Sequence, residues 1–127
     1  MDSEFPVTIA LSEEEREVLI HGLGEWNGPA RCTDALAVAM DFLDAADLLA
    51  EGGRLRSLLI AEEPLRARDW RRTLIATEFA FAGDVFGSGV EWSITTGFSD
   101  ERTVAILRGL QRKLARALHE VLYGHRR

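Results

Sequence analysis

Leu65-Arg-Ala-Arg-Asp-Trp-Arg-Arg-Thr-Leu-Ile-Ala-Thr-Glu-Phe-Ala-Phe-Ala82 is the stretch on which the fold class turns. Wound as a helix, it brings Trp70, Leu74 and Phe81 together; extended as a strand, it sets Ile75, Phe79 and Phe81 on one side. Its length, its charged first half and its Leu, Arg and Ala content outweigh the β-branched residues, so the helical reading is preferred. The protein is then mainly α.

Working outward, Phe5 to Leu11 alternates around β-branched residues and reads as a short strand. Ser12 with Glu15 forms a capping box that opens a helix, with Val18, Leu19 and Leu23 as its apolar face and an expected end near Gly22 to Gly24. A turn-rich connection over residues 21–32 leads to a second helix from Asp34 to about Glu51, capped by Thr33 and stopped by Gly52-Gly53. A third helix is expected near Arg54 to Glu62, ending before Pro64. Val90 to Thr96 alternates apolar with polar residues and reads as a strand able to pair with the N-terminal one. Ser99 caps a long last helix from Asp100 to about Tyr123, with Gly124 beyond it. The expected fold is a mainly α, single compact domain of four or five helices, open to a small two-stranded β element.

The composition agrees. A chain of 127 residues, 46% hydrophobic and 28% charged, is long enough to bury its own core. No apolar run approaches the ~20 residues that span a bilayer, and the acidic N-terminus does not read as a signal peptide. The single cysteine, Cys32, excludes an intrachain disulfide, and the expected compartment is cytoplasmic. Lys113 is the only lysine among fifteen Lys and Arg residues, and with abundant Ala, Leu and Gly this reads like a GC-rich bacterial genome.

Charge is unevenly distributed. From Asp100 onward seven basic residues face three acidic ones, a balance of +4, whereas residues 1–99 carry −10. At about 100° per residue, Ile106, Leu107, Leu110, Leu114, Ala117, Leu118, Val121 and Leu122 share one face of the last helix, and Arg108, Arg112 and Arg116 form a stripe on another. Asp41, Asp44, Asp47 and Glu51 form an acidic stripe on the second helix, which could face those arginines within a molecule or across a homodimer. A solvated face is the plain alternative. Nucleic acid is a poorer partner, because the whole chain carries −6 and no aromatic residues interleave with the arginines.

Other constellations point to little chemistry. The aspartates lack the glycine-containing loop of a calcium site, and one Cys with His119 and His125 does not make a zinc site, so no metal or cofactor is expected. His21 and Cys32 are candidates for a nucleophilic pair, but nothing orients the histidine. Gly22 to Gly28 resembles a phosphate loop only in glycine content, since it closes a helix instead of opening one. Glu78, close to an apolar face, needs a partner. The glycine-rich stretch from Gly83 to Asp100 is where a ligand pocket would be built, with Phe86, Glu91 and Trp92 as its candidates beside Glu78. With no catalytic constellation, the preferred reading is a non-enzymatic protein acting by protein–protein contact through Arg108, Arg112 and Arg116: a regulator, adaptor or immunity-type inhibitor. The alternative is a small-molecule-binding domain or small enzyme with its pocket around residues 78–98.

Overall fold

The structure is a computed structural model, and it describes residues 5–27, 32–83 and 92–123. It is mainly α, with a two-stranded sheet. In chain order the elements are β1 (Pro6–Val7), α1 (Glu13–Glu25), α2 (Asp34–Ala39), α3 (Ala45–Ile60), β2 (Leu65–Arg66), α4 (Ala67–Ala82), α5 (Trp92–Thr96) and α6 (Asp100–Tyr123). The stretch from Leu65 to Ala82 is helical from its third residue onward.

Each helix start has a local cause. Ser12 Oγ accepts from the Glu15 amide while Glu15 Oε1 accepts from the Ser12 amide, the reciprocal pair expected of a capping box. Thr33 caps α2 through the Leu36 amide, and Ser99 caps α6 through the Arg102 amide.

Three expectations are corrected. The helix from Asp34 to Glu51 is broken, because Asp41 turns back with φ 76° and Asp44 caps a new helix through the Asp47 amide at 2.7 Å. Gly52 and Gly53 do not stop α3, which absorbs the expected third helix and runs on to Ile60. Gly52 is instead part of its buried stripe with Leu48, Leu55 and Leu59. The described part of the segment expected as a strand over 90–96 is helical. Residues 92–96 form the short helix α5, closed by Thr96 Oγ1 donating to the Trp92 carbonyl at 2.7 Å, whereas Val90 lies outside the described residues. The N-terminal strand pairs antiparallel with Leu65–Arg66, in register Pro6 with Arg66 and Val7 with Leu65. Pro64 favours the extended backbone entering that pair, because proline disfavours the helical conformation in the residue before it.

The core lies among α1, α3, α4 and α6. α1 packs on both α3 and α4, and α6 packs on α4 and α1. The buried side of α4 is rich in small residues, Ala67, Thr73, Ala76, Thr77 and Ala80, so α1 approaches closely. A Cβ placed on Gly22 would stand 2.4 Å from Thr77 Oγ1, so the crossing needs glycine there. Three buried indoles tie elements together. Trp26 donates to the Ala76 carbonyl at 3.0 Å, Trp70 to the Val7 carbonyl at 2.8 Å and Trp92 to Thr103 Oγ1 at 2.8 Å.

Candidate functional site

The candidates from the glycine-rich stretch separate. Phe86 and Glu91 lie outside the described residues. Trp92 is fully buried, its ring edge-on to Phe81 with centroids 5.4 Å apart. Glu78 is half-buried on α4, where its carboxylate accepts from the Gln111 amide of α6. Arg108, Arg112 and Arg116 are all exposed on α6, opposite the buried face of Ile106, Leu107, Leu110, Leu114 and Leu118. Val121 and Leu122 have no described side chains.

Hydrogen bonds and ion pairs divide the arginines. Among the described residues, Arg54, Arg66 and Arg72 meet Asp69, Arg68 grips Asp41, and Arg102 pairs with Glu14. Arg16 reaches Glu62 and the Leu59 carbonyl, Arg56 the Ile20 carbonyl, and Arg108 Gln111. Arg71, Arg112 and Arg116 make no hydrogen bond and no ion pair with described residues. Arg112 and Arg116 line one groove and Arg71 lines another.

The first groove, of about 840 Å³, runs between Thr8–Ala10 and the C-terminal half of α6, and contains Arg112, Arg116, Ala115, Ala117 and His119. The second, of about 510 Å³, lies between α4 and α6. Its α4 wall is Arg71, Leu74, Ile75 and Glu78; its α6 wall is Gln111, Leu114, Ala115 and Leu118, with His119. Ala115 and His119 border both grooves, so the exposed turn of α6 is a ridge with a trough on either side. Lys113, in the lining of the first groove, ties α6 to the N-terminal segment, donating to the Ala10 carbonyl at 2.8 Å and to Glu15 Oε1 at 2.7 Å. Burial alone would raise the Glu15 carboxyl, but donation from Lys113 and Ser12 outweighs it and holds the group below its ordinary range.

The acidic stripe faces a different set of arginines from α6's. Asp41 meets Arg68, Asp47 meets Arg72 at 3.8 Å, and Glu51 meets Arg54 at 2.7 Å and Arg72 at 3.6 Å. The hydrogen bond from Arg54 holds the Glu51 carboxyl below its ordinary value, and that from Arg68 does the same for Asp41. Arg72 is buried over the Phe42 ring, 4.2 Å from its centroid. This cluster joins α3 to α4 and leaves the α6 stripe outside it.

The thiol of Cys32 donates to the Thr33 carbonyl at 3.2 Å, and partial burial, aided by Asp34, pushes its pKa up. That is the opposite of activation. Gly22 and Gly24 sit inside α1, which runs on to Glu25, and Gly28 lies outside the described residues. Among the described residues no three His, Cys, Asp or Glu side chains stand where they could share a metal ion, and no helix is long and apolar enough to cross a membrane.

Arg71 is the groove residue that sequence reading passed over. The signal was present, because Arg71, Leu74, Ile75 and Glu78 recur at i, i+3, i+4 and i+7. Which arginines lack a partner depends on what lies across the helix, and that is a tertiary fact. No protein-family model matches the chain, and comparison with curated proteins and with solved structures finds no match either.

Proposed function

We propose that this protein acts by protein–protein contact, docking a partner over the exposed ridge of α6 and its flanking grooves. One observation carries the reading: among the described residues, Arg71, Arg112 and Arg116, which make no hydrogen bond or ion pair there, line these grooves. Exposed guanidinium groups beside partly exposed apolar side chains suit a partially acidic protein surface, because arginine anchors contribute strongly where water is excluded. Two troughs sharing one ridge favour a macromolecule over a small ligand, which would fill a single trough. A role as regulator, adaptor or inhibitor in a bacterial cytoplasm fits such a surface.

The test is native mass spectrometry of the untagged protein purified from its own cells, compared with the Arg112→Glu/Arg116→Glu variant. Wild type should carry an added polypeptide mass that the variant loses, while the urea unfolding midpoints agree. Retention of the same mass by the variant would remove α6 from the interface.

A second reading is favoured by Glu78, a half-buried carboxylate in the wall of a groove whose volume suits a small ligand. It expects a small added mass released on denaturation and lost in Glu78→Gln. A polypeptide mass unaffected by that substitution counts against it.

A further inference from the structure

Resting on the reading of this face as a docking surface, we infer that the edge formed by Thr8, Ile9 and Ala10 receives an extended, acidic segment of a partner protein, added as a strand in the groove beside α6. The alternation of Phe5 to Leu11 outlasts the ladder built on it. Among the described residues only Pro6 and Val7 pair with β2. Beyond them Thr8 and Ala10 are exposed, while Val7 and Leu11 are half-buried and Ile9 is buried, which is the period of a strand. Pro6 has no amide hydrogen, so Val7 is the residue that exchanges bonds with Leu65, and the amides and carbonyls of Thr8 and Ala10 then point to the opposite edge. One contact fixes the side: the Ala10 carbonyl accepts from Lys113 of α6. The Thr8 amide, the Thr8 carbonyl and the Ala10 amide make no hydrogen bond with described residues.

Thr8 and Ala10 border the groove of about 840 Å³. An exposed edge with unpaired main-chain groups is a template for a further strand, and extended peptides bind proteins in this way. The other wall sets the chemistry of that strand. Arg112 and Arg116 are exposed in it, the described lining holds no aspartate or glutamate, and Lys113 is already engaged by Glu15. The α4–α6 groove lacks this bias, because its lining holds both Arg71 and Glu78. Carboxylates two residues apart on a strand are separated by about 7 Å, close to the rise of about 6 Å from Arg112 to Arg116, so one face of the segment carries both. A partner helix would answer the charge and leave the edge unpaired. A second copy of this edge does not suit, because symmetric pairing would bring the two arginines toward their own images.

The experiment places a photo-crosslinking amino acid at Ala115, which is exposed between the two grooves, in the full-length protein within its own cells. The captured peptide is sequenced and synthesised, together with a set in which one backbone amide at a time is N-methylated, and all are titrated against wild type. The expected peptide carries Asp or Glu at alternate positions, and methylation at alternate amides lowers its affinity about tenfold while the amides between tolerate it. Thr8→Pro removes a donor that has no described partner in the free protein and should weaken binding about fivefold, whereas Thr8→Ala should not. Arg116→Glu should cost about tenfold or more and Arg116→Gln less. Each variant is first shown to unfold at the wild-type urea midpoint, and the methylation pattern on wild type decides the case should Thr8→Pro fail that check. Methylation without alternation, helical circular dichroism gained on binding, a basic peptide, or equal affinity for wild type and Arg116→Glu overturns the acidic-strand assignment and leaves the docking reading in place. Capture of nucleic acid, or of no polypeptide, overturns both.

Discussion

Asp41 and Glu62 occupy positions that most helices give to glycine. Each sits just past a helix end with positive φ, 76° and 61°. Each is followed by a residue whose amide reaches back, Phe42 to the Ala37 carbonyl and Glu63 to the Leu58 carbonyl, both at 2.9 Å. These are the paired return bonds of a Schellman ending. A Cβ in that conformation costs roughly 1–2 kcal/mol, and the exposed Arg16–Glu62 contact at 4.0 Å offsets little of it. Glu62→Gly should therefore stabilise the protein by about 1 kcal/mol in urea unfolding. The glycines inside helices divide by surroundings. Gly53→Ala meets nothing within 4 Å and should gain up to about 1 kcal/mol from helix propensity. Gly22→Ala drives a methyl into Thr77 and should lose about 1–3 kcal/mol despite the same propensity gain. Equal effects at the two sites would contradict the close α1–α4 crossing.

Those residues explain what could be read along the chain. The starts of α1, α2 and α6 were legible because Ser12, Thr33 and Ser99 each act on the amide three residues on, whereas the start of α3 at Asp44 was hidden inside an apparently continuous helix. Stops were not legible, because Gly52-Gly53 looks like a terminator and is not one, while Asp41 and Glu62 look ordinary and end helices. The alternation in 90–96 was equally local and was overridden where the Trp92 indole is buried against Thr103. For the site, the arginine stripe of α6 was visible as periodicity, but its freedom depended on α4 taking up the acids of α2 and α3. That α3–α4 cluster also sets a pH response. The folded Glu51 carboxyl lies below its ordinary value of 4.5, so the unfolded chain binds its proton more tightly. Its contribution is fully present above that value and disappears as pH falls through the depressed folded value. Denaturant unfolding between about pH 7 and about pH 3 should show a decline below the ordinary glutamate value that is shallower in Glu51→Gln. An identical profile in the variant would exclude this pair as a source.

Across the whole molecule, a net charge of −6 coexists with a basic ridge. Asp41, Asp47 and Glu51 are engaged by Arg54, Arg68 and Arg72, and a local basic face survives on α6 in an acidic protein. Attraction to an acidic partner should then be short-ranged, and screened within about 8 Å at physiological salt. Lys113, the only lysine, is bound to Ala10 and Glu15, whereas Arg71, Arg112 and Arg116 make no hydrogen bond or ion pair with described residues. Two covalent reagents will consequently see two different proteins. An acylating reagent aimed at amines can modify this side chain only by prising the N-terminal segment from α6. An arginine-selective dicarbonyl should label positions 71, 112 and 116 ahead of the paired Arg68 and Arg102, which are also exposed. Peptide mapping of the labelled protein checks that order. Loss of labelling at those three sites when the partner is bound would outline the interface without any substitution.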